Sequence, residues 1–148
     1  MKNIAVGVDF SNATDAVLER ATELARITGA KVHLVHIFAP EPAFVGYAVY
    51  TYPGVDARAE ELSTEKEKLR NLVDQLEHEG IDTMAYMKEE QTVKGLIDFA
   101  EHREADLLVI GTHGHNVVER ILLGSVAEGV VRKTSLPVLV VPVRDKES

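Results

Sequence analysis

The chain has 148 residues, with 16 Lys plus Arg against 24 Asp plus Glu, a net charge of −8 and no cysteine. That length suits one domain, 1–148, with a buried core of its own. The charge argues against nucleic acid or an anionic membrane as a partner, and the missing thiols exclude a disulfide scaffold, a thiol nucleophile and a Cys-based zinc site.

In chain order, the first apolar run is Ile4–Val8, cut off by Asp9. It is too short and too soon interrupted for a signal peptide. No stretch approaches the ~20 apolar residues that span a bilayer, so a soluble, cytoplasmic protein is expected. Further runs lie at Val32–Phe38, Met84–Met87 (the weakest), Leu107–Ile110 and Val138–Val141. Their near-continuous apolar character is that of strands covered on both faces. Between them the apolar spacing turns helical over 12–27, 56–79, 92–102 and 125–133. Ser11 or Asn12 is the expected cap of the first helix and Thr92 of the third, with Gly29 and Gly80 as stops.

Strict alternation of strand and helix predicts an α/β fold, a five-stranded parallel sheet with helices on both faces. The expected strand order is 3-2-1-4-5. Residues 39–55 interrupt the rhythm. They carry Pro40, Pro42, Gly46, Pro53 and Gly54, and the aromatic residues Phe38, Phe44, Tyr47, Tyr50 and Tyr52 cluster around them. A connection this long is a lid, a subunit contact or a cover for one end of the core.

The chemistry concentrates after the fourth strand, in Gly111-Thr112-His113-Gly114 and, nine residues later, Gly124-Ser125-Val126. The glycines allow close approach of a ligand to the backbone. Gly124-Ser125 opens a helix, leaving free N–H groups and a positive dipole end that suit an anion. Arg120, Arg132 and Lys133 against Glu119 and Glu128 add a small positive surplus. Together these features describe a phosphate cradle; the alternative is a set of tight turns. The segment is neither G-x4-G-K-[ST] nor G-x-G-x-x-G. Asp9, at the end of the first strand, is either a cap for the helix behind it or an acceptor for ribose hydroxyls. In the order 3-2-1-4-5 it would face Gly111 across the switch point where such sheets bind ligands. The end of the second strand, His36-Ile37-Phe38, would offer an apolar wall and free backbone groups to a purine.

These residues give the chain a resemblance, over its whole length, to the universal stress proteins of the UspA family, in their ATP-binding subgroup. The opening Val6-Gly7-Val8-Asp9-Phe10-Ser11, the run Leu34-Val35-His36-Ile37 and the closing Pro137–Val141 match family patterns beside the glycine segment. The resemblance implies a Rossmann-like or flavodoxin-like sheet, a homodimer, and ATP with Mg²⁺ as ligand, AMP or ADP being possible in the same site. It implies that Val8 and Asp9 line the nucleotide, Asp9 contacting ribose, and that the Ile37 backbone meets adenine. Gly111 and Thr112 would lie near ribose, and Gly114, Gly124, Ser125 and Val126 would hold phosphates. The metal would be bound mainly by phosphate oxygens and water, with no protein metal ligand assigned. Phe10 departs from the pattern, standing where many members have glycine, and so does Gly7, where proline or alanine is common.

No catalytic residue is assigned: there is no G-x-S-x-G elbow and no lysine inside the glycine segment. Three functions are compatible with these features: a nucleotide-dependent regulatory module with an unknown protein partner, a slow ATPase or self-phosphorylating protein in which Ser125 or Thr112 accepts phosphate, or an interaction protein that binds no nucleotide. His113 and His115 are read as a solvated loop, and His33 and His36, three apart on a strand, as pointing to opposite faces. The last strand, within 137–143, is an expected edge and the expected homodimer seam.

Overall fold

The computed structural model describes residues 1–40, 52–112 and 123–143, with the backbone alone for 52–56. The order is β1 (Asn3–Gly7), α1 (Ala13–Thr28), β2 (Lys31–Phe38), α2 (Tyr52–His78), β3 (Thr83–Glu89), α3 (Thr92–His102), β4 (Leu107–Gly111), α4 (Ser125–Lys133) and β5 (Val138–Val141). The sheet runs β3-β2-β1-β4-β5, and each neighbouring pair is parallel. The expected fold class and strand order both stand.

Alternation along the strands divides the core into two layers. Ile4, Val6, Val32, Leu34 and Val109 pack against Val17 and Ala21 of α1 and Leu69 and Leu76 of α2. Ala5, Val35, Ile37, Leu108 and Ile110 pack against Leu96 and Phe99 of α3 and Ala127 and Val130 of α4. Each large aliphatic side chain so buried is worth about 1.5–3 kcal/mol.

Several local expectations are corrected. Asn12 has helical backbone angles and makes no side-chain cap. Ser11 takes that role, its Oγ accepting from the Ala13 N–H at 3.1 Å and its carbonyl from Thr14 at 3.1 Å. The third helix is capped by Gln91 and not by Thr92, the Gln91 side chain accepting from the Lys94 N–H at 2.8 Å. Helix α2 begins at Tyr52, inside the expected 39–55 connection. Pro53 lies in its first turn, where a missing N–H costs nothing. The rest of that connection beyond Pro40, with Phe44, Tyr47 and Tyr50, lies outside the described residues. Gly29 and Gly80 do end their helices, both at positive φ.

Two helical glycines let the layers approach. A Cβ on Gly95 would stand 2.9 Å from Ile37 Cγ2 and 3.1 Å from Glu90 Cβ, and one on Gly129 would stand 2.8 Å from Val93 Cγ2. Gly95 thus brings α3 down onto β2 beneath Ile37, and Gly129 brings α4 against α3. At the amino end of the sheet the Asp106 carboxylate accepts from the Lys2 and Asn3 N–H groups at 2.6 and 2.9 Å. These two bonds hold its carboxyl below the usual aspartate range.

Gly95→Ala should lower stability by about 1 kcal/mol, overpacking of about 1–3 kcal/mol being partly offset by up to ~1 kcal/mol of helix propensity; the urea midpoint reads it. The Asp106 bonds should make a second, pH-dependent mark. Because the native carboxyl titrates below 3.8, their contribution is complete above that pH and is lost as the pH falls further. Asp106→Asn should therefore show a shallower loss of stability in acid than the parent, measured by urea unfolding across that range.

Candidate functional site

Strand β1 lies between β2 and β4, so the chain reverses its direction of growth across the sheet there. The carboxyl ends of β1 and β4 flank that switch point, where open α/β sheets leave a crevice. Gly7 is opposite Val35, but β2 continues through His36 and Ile37 to Phe38. The outer part of β2 is therefore a ledge with no β1 strand beside it.

The orientation of the ledge's backbone follows from its bonds. The Val35 carbonyl accepts from the Val8 N–H at 2.9 Å and so faces β1. The Phe38 carbonyl accepts from Glu90 at 3.0 Å and so faces β3. By the two-residue period of a strand, Ile37 directs its N–H and carbonyl to the β1 side. The next rung of the ladder would join the Ile37 N–H to the Val8 carbonyl. Among the described residues that rung is not formed: the Val8 carbonyl accepts instead from Nδ1 of His36, at 2.8 Å. The Ile37 side chain is buried over Gly95, so the residue offers a ligand its main chain alone.

Val8 is buried, and beyond it the chain leaves the sheet. Asp9 is exposed, and its Oδ1 accepts from the Ser11 N–H at 2.9 Å and from the Ser11 hydroxyl. Asp9 therefore does brace the start of α1. Four lone-pair sites on a carboxylate leave it able to accept from a diol as well. Phe10 turns the chain with φ of 60°, a region that favours glycine. Its ring lies 4.8 Å from that of His36, with Lys68 Nζ 5.5 Å from its centre. Glu65 of α2 reaches His36 Nε2 at 2.9 Å. The two atoms make no aligned hydrogen bond, and the contact is an ion pair only when the imidazole carries both protons. Sequence reasoning placed His36 at this end of the sheet but missed its bond to Val8, and it missed Glu65 and Lys68 altogether. The available sign was the presence of histidines, His33 and His36, in a largely apolar strand.

On the other flank, Gly111 ends β4, and Thr112 fastens the chain just beyond the strand. The Thr112 N–H donates to Val141 at 2.9 Å, its Oγ1 accepts from the Val143 N–H at 3.3 Å, and its carbonyl accepts from the Gly124 N–H at 2.6 Å. The last bond brings the two ends of the glycine segment together at the head of α4. Gly114, with His113 and His115, lies outside the described residues. The expectation that Gly124 offers a free N–H is corrected: that group is committed to Thr112. Gly124 is the N-cap and carries no capping side chain, and its carbonyl accepts the first helical bond, from Glu128 at 3.0 Å. The amides of Ser125, Val126 and Ala127 are those the helix leaves without an internal acceptor. Ser125 and Val126 are exposed.

The positive surplus is also corrected. Arg132 and Lys133 lie in the last turn of α4, away from its N-terminus, and Arg132 pairs with Glu128 at 2.7 Å. Arg120 and Glu119 lie outside the described residues. His33 and His36 do face opposite ways: His33 stacks near Tyr86 in the α3 layer. Its Nε2 contacts Asn3 Oδ1 at 3.0 Å, and burial, with Lys31 and Arg103 nearby, pushes its pKa down.

Fold and crevice together define an α/β domain with an uncovered strand ledge at the switch point of a parallel sheet. The model of the universal stress protein family matches residues 1–142. A universal stress protein of Methanocaldococcus jannaschii is 34% identical over 148 residues, covering 99% of this chain and 85% of that protein. One from Staphylococcus haemolyticus, described as putative, is 31% identical over 95% of this chain and 84% of its own length. Among solved structures, hypothetical protein MJ0577 superposes with a TM-score of 0.79 at 25% identity, covering 98% of both chains. The universal stress protein of Archaeoglobus fulgidus in complex with dAMP gives 0.70 at 27% identity, over 95% of this chain and 98% of that one. A universal stress protein in complex with cAMP gives 0.70 at 26%, over 97% and 98%. The chain belongs to the universal stress protein family. Among the described residues no helix is long and apolar enough to cross a membrane.

Proposed function

We propose that this chain binds an adenine nucleotide at the switch point, with ATP and Mg²⁺ as its ligand, and acts as a nucleotide-dependent regulatory module of the stress response. The observation that carries the reading is the pairing of two sets of backbone groups that have no partner among the described residues: Ile37 on the β2 ledge and the first turn of α4, held in place by the Thr112–Gly124 bond. A purine edge suits the first and a phosphate chain the second, with Asp9 between them for ribose. Complexes of relatives with cAMP and dAMP support the adenine half. Val8, Gly111 and Thr112 would line the middle of the site. Gly114, Gly124, Ser125 and Val126 would surround the phosphates, which with water would carry the metal. Thr112 Oγ1 already accepts from Val143, which favours a binding role over phosphate acceptance for that residue.

The module would work as a homodimer through 137–143. Strand β5 is a sheet edge, and Val126 and Val131 of α4 and Leu123 before it are among the exposed large apolar side chains. A second copy paired along β5 would cover this edge with its own equivalent.

Protein purified without added nucleotide, then heat-denatured, should release an adenine nucleotide identifiable by mass spectrometry, or bind Mg-ATP on titration. Gly124→Asp should weaken ATP by about tenfold or more, because it sets a carboxylate at the helix end intended for phosphate. The backbone at Gly124, φ −62° and ψ 162°, is open to any residue. Aspartate is moreover a better N-cap than glycine, so stability should hold or rise while binding falls. No released nucleotide and no binding at millimolar Mg-ATP would overturn the reading. Light scattering at micromolar concentration should give twice the 16.3 kDa chain mass; a monomer would overturn the β5 pairing.

A further inference from the structure

We propose that His36 is a positioning residue that keeps the sheet open for the base. This rests on the adenine-nucleotide reading and deepens it. In a parallel ladder the Val8 carbonyl would take the Ile37 N–H, closing β1 onto β2 by one more rung. His36 Nδ1 donates to that carbonyl first, at 2.8 Å, from within the buried layer between sheet and α2. Its bond satisfies a buried acceptor that otherwise has one obvious partner. The Ile37 N–H is thereby left facing the ledge.

The imidazole is enclosed on three sides. Val8 fixes Nδ1, the Glu65 carboxylate stands 2.9 Å from Nε2, and the Phe10 ring lies 4.8 Å from the imidazole. Donation to a carbonyl requires the proton on Nδ1, so the ring's donor is assigned by its partner. The bond also determines where β1 ends. With the Val8 carbonyl turned to His36, Asp9 leaves the sheet and Phe10 takes its left-handed turn over the imidazole. The free amide of Ile37 and the placement of Asp9 have one origin.

His36→Leu removes the donor and keeps an apolar side chain, while His36→Asn keeps an N–H donor near the position of Nδ1. In His36→Leu the Val8 carbonyl should capture the Ile37 N–H. Amide exchange at Ile37, measured by NMR on the nucleotide-free protein, should then slow by about tenfold, the worth of one added hydrogen bond. Adenosine and ATP should both weaken by about tenfold and by the same factor, because the loss is at the base end. His36→Asn should restore both toward the parent. A merely structural histidine would give the reverse at Ile37, faster exchange. Ile4→Val, a mild core truncation at the far end of β1, supplies that comparison. Unchanged or faster exchange at Ile37 in His36→Leu, or unchanged adenosine affinity, would overturn the proposal. If the parent itself binds neither adenosine nor ATP, the nucleotide reading fails, and with it this use of Ile37; the exchange data would still show whether His36 holds the rung open.

Discussion

The central strand stops before its neighbour does, and the rest of the site depends on that. Gly7 is the last residue of β1, yet β2 runs on to Phe38. A parallel sheet that kept pairing would leave no main-chain group for a ligand. Here the central strand ends first, so its departure uncovers β2 on one flank, while on the other its pairing with β4 runs only as far as Val6 opposite Val109. The cause is local: Val8 commits its N–H to Val35 and its carbonyl to His36, and the chain then turns at Phe10.

The proposed binding of a polyanion to an acidic chain needs a source of positive potential, and the described residues narrow where it would lie. Arg132 and Lys133 complement the negative end of α4 and are remote from its head. Among the described residues, what remains at the head is the amides of Ser125, Val126 and Ala127, which the helix leaves without an internal acceptor. Thr112 matters because its carbonyl takes the Gly124 N–H and so sets the direction in which α4 starts. Gly129 matters because it seats α4 against Val93 of α3. The proposed phosphate site is thus built by backbone bonding and close packing, both insensitive to the net charge of −8.

Fold class and strand order were legible in the sequence because both sheet faces are covered, which writes strands as apolar runs and helices as stripes between them. The weak third run became a full strand, Thr83–Glu89, because an edge strand needs less apolar character than a central one. Glycine positions, Asp9 and the ledge were legible as types and spacings. What was not legible was the use of individual hydrogen bonds. Gly124 reads as a free donor until Thr112 is seen to claim it, and Thr92 reads as a cap until Gln91 is seen to reach Lys94. His36 reads only as part of the wall at the end of the second strand, because the residue that gives it a further role, Val8, contributes only a carbonyl, which no side-chain pattern encodes. Phe10 is the converse case. The sequence showed it only as a departure from the glycine that the resembled pattern has there, and φ of 60°, where glycine is at ease, accounts for that pattern. Here ring packing over His36 offsets the strain of a large residue in that region.

The two halves of the proposed site answer to different layers of the fold. The base ledge is tied to α2, through Glu65 at His36, Lys68 over Phe10, and Arg58, which donates to the Ala39 carbonyl and lies over the Phe38 ring. The phosphate end is tied to α4 and, through Thr112, to Val141 and Val143 beside the β5 edge. A ligand spanning both would join elements that the sheet otherwise keeps apart, α2 on one face and α4 on the other. Ligands that share adenine would act alike on the α2 side. They would differ on the α4 side according to the phosphates they carry, and that side adjoins the proposed seam with a second copy. Discrimination between ATP, AMP and a cyclic nucleotide would then be read out where the molecule meets its partner, since a ligand shifts a conformational balance only through contacts that differ between states.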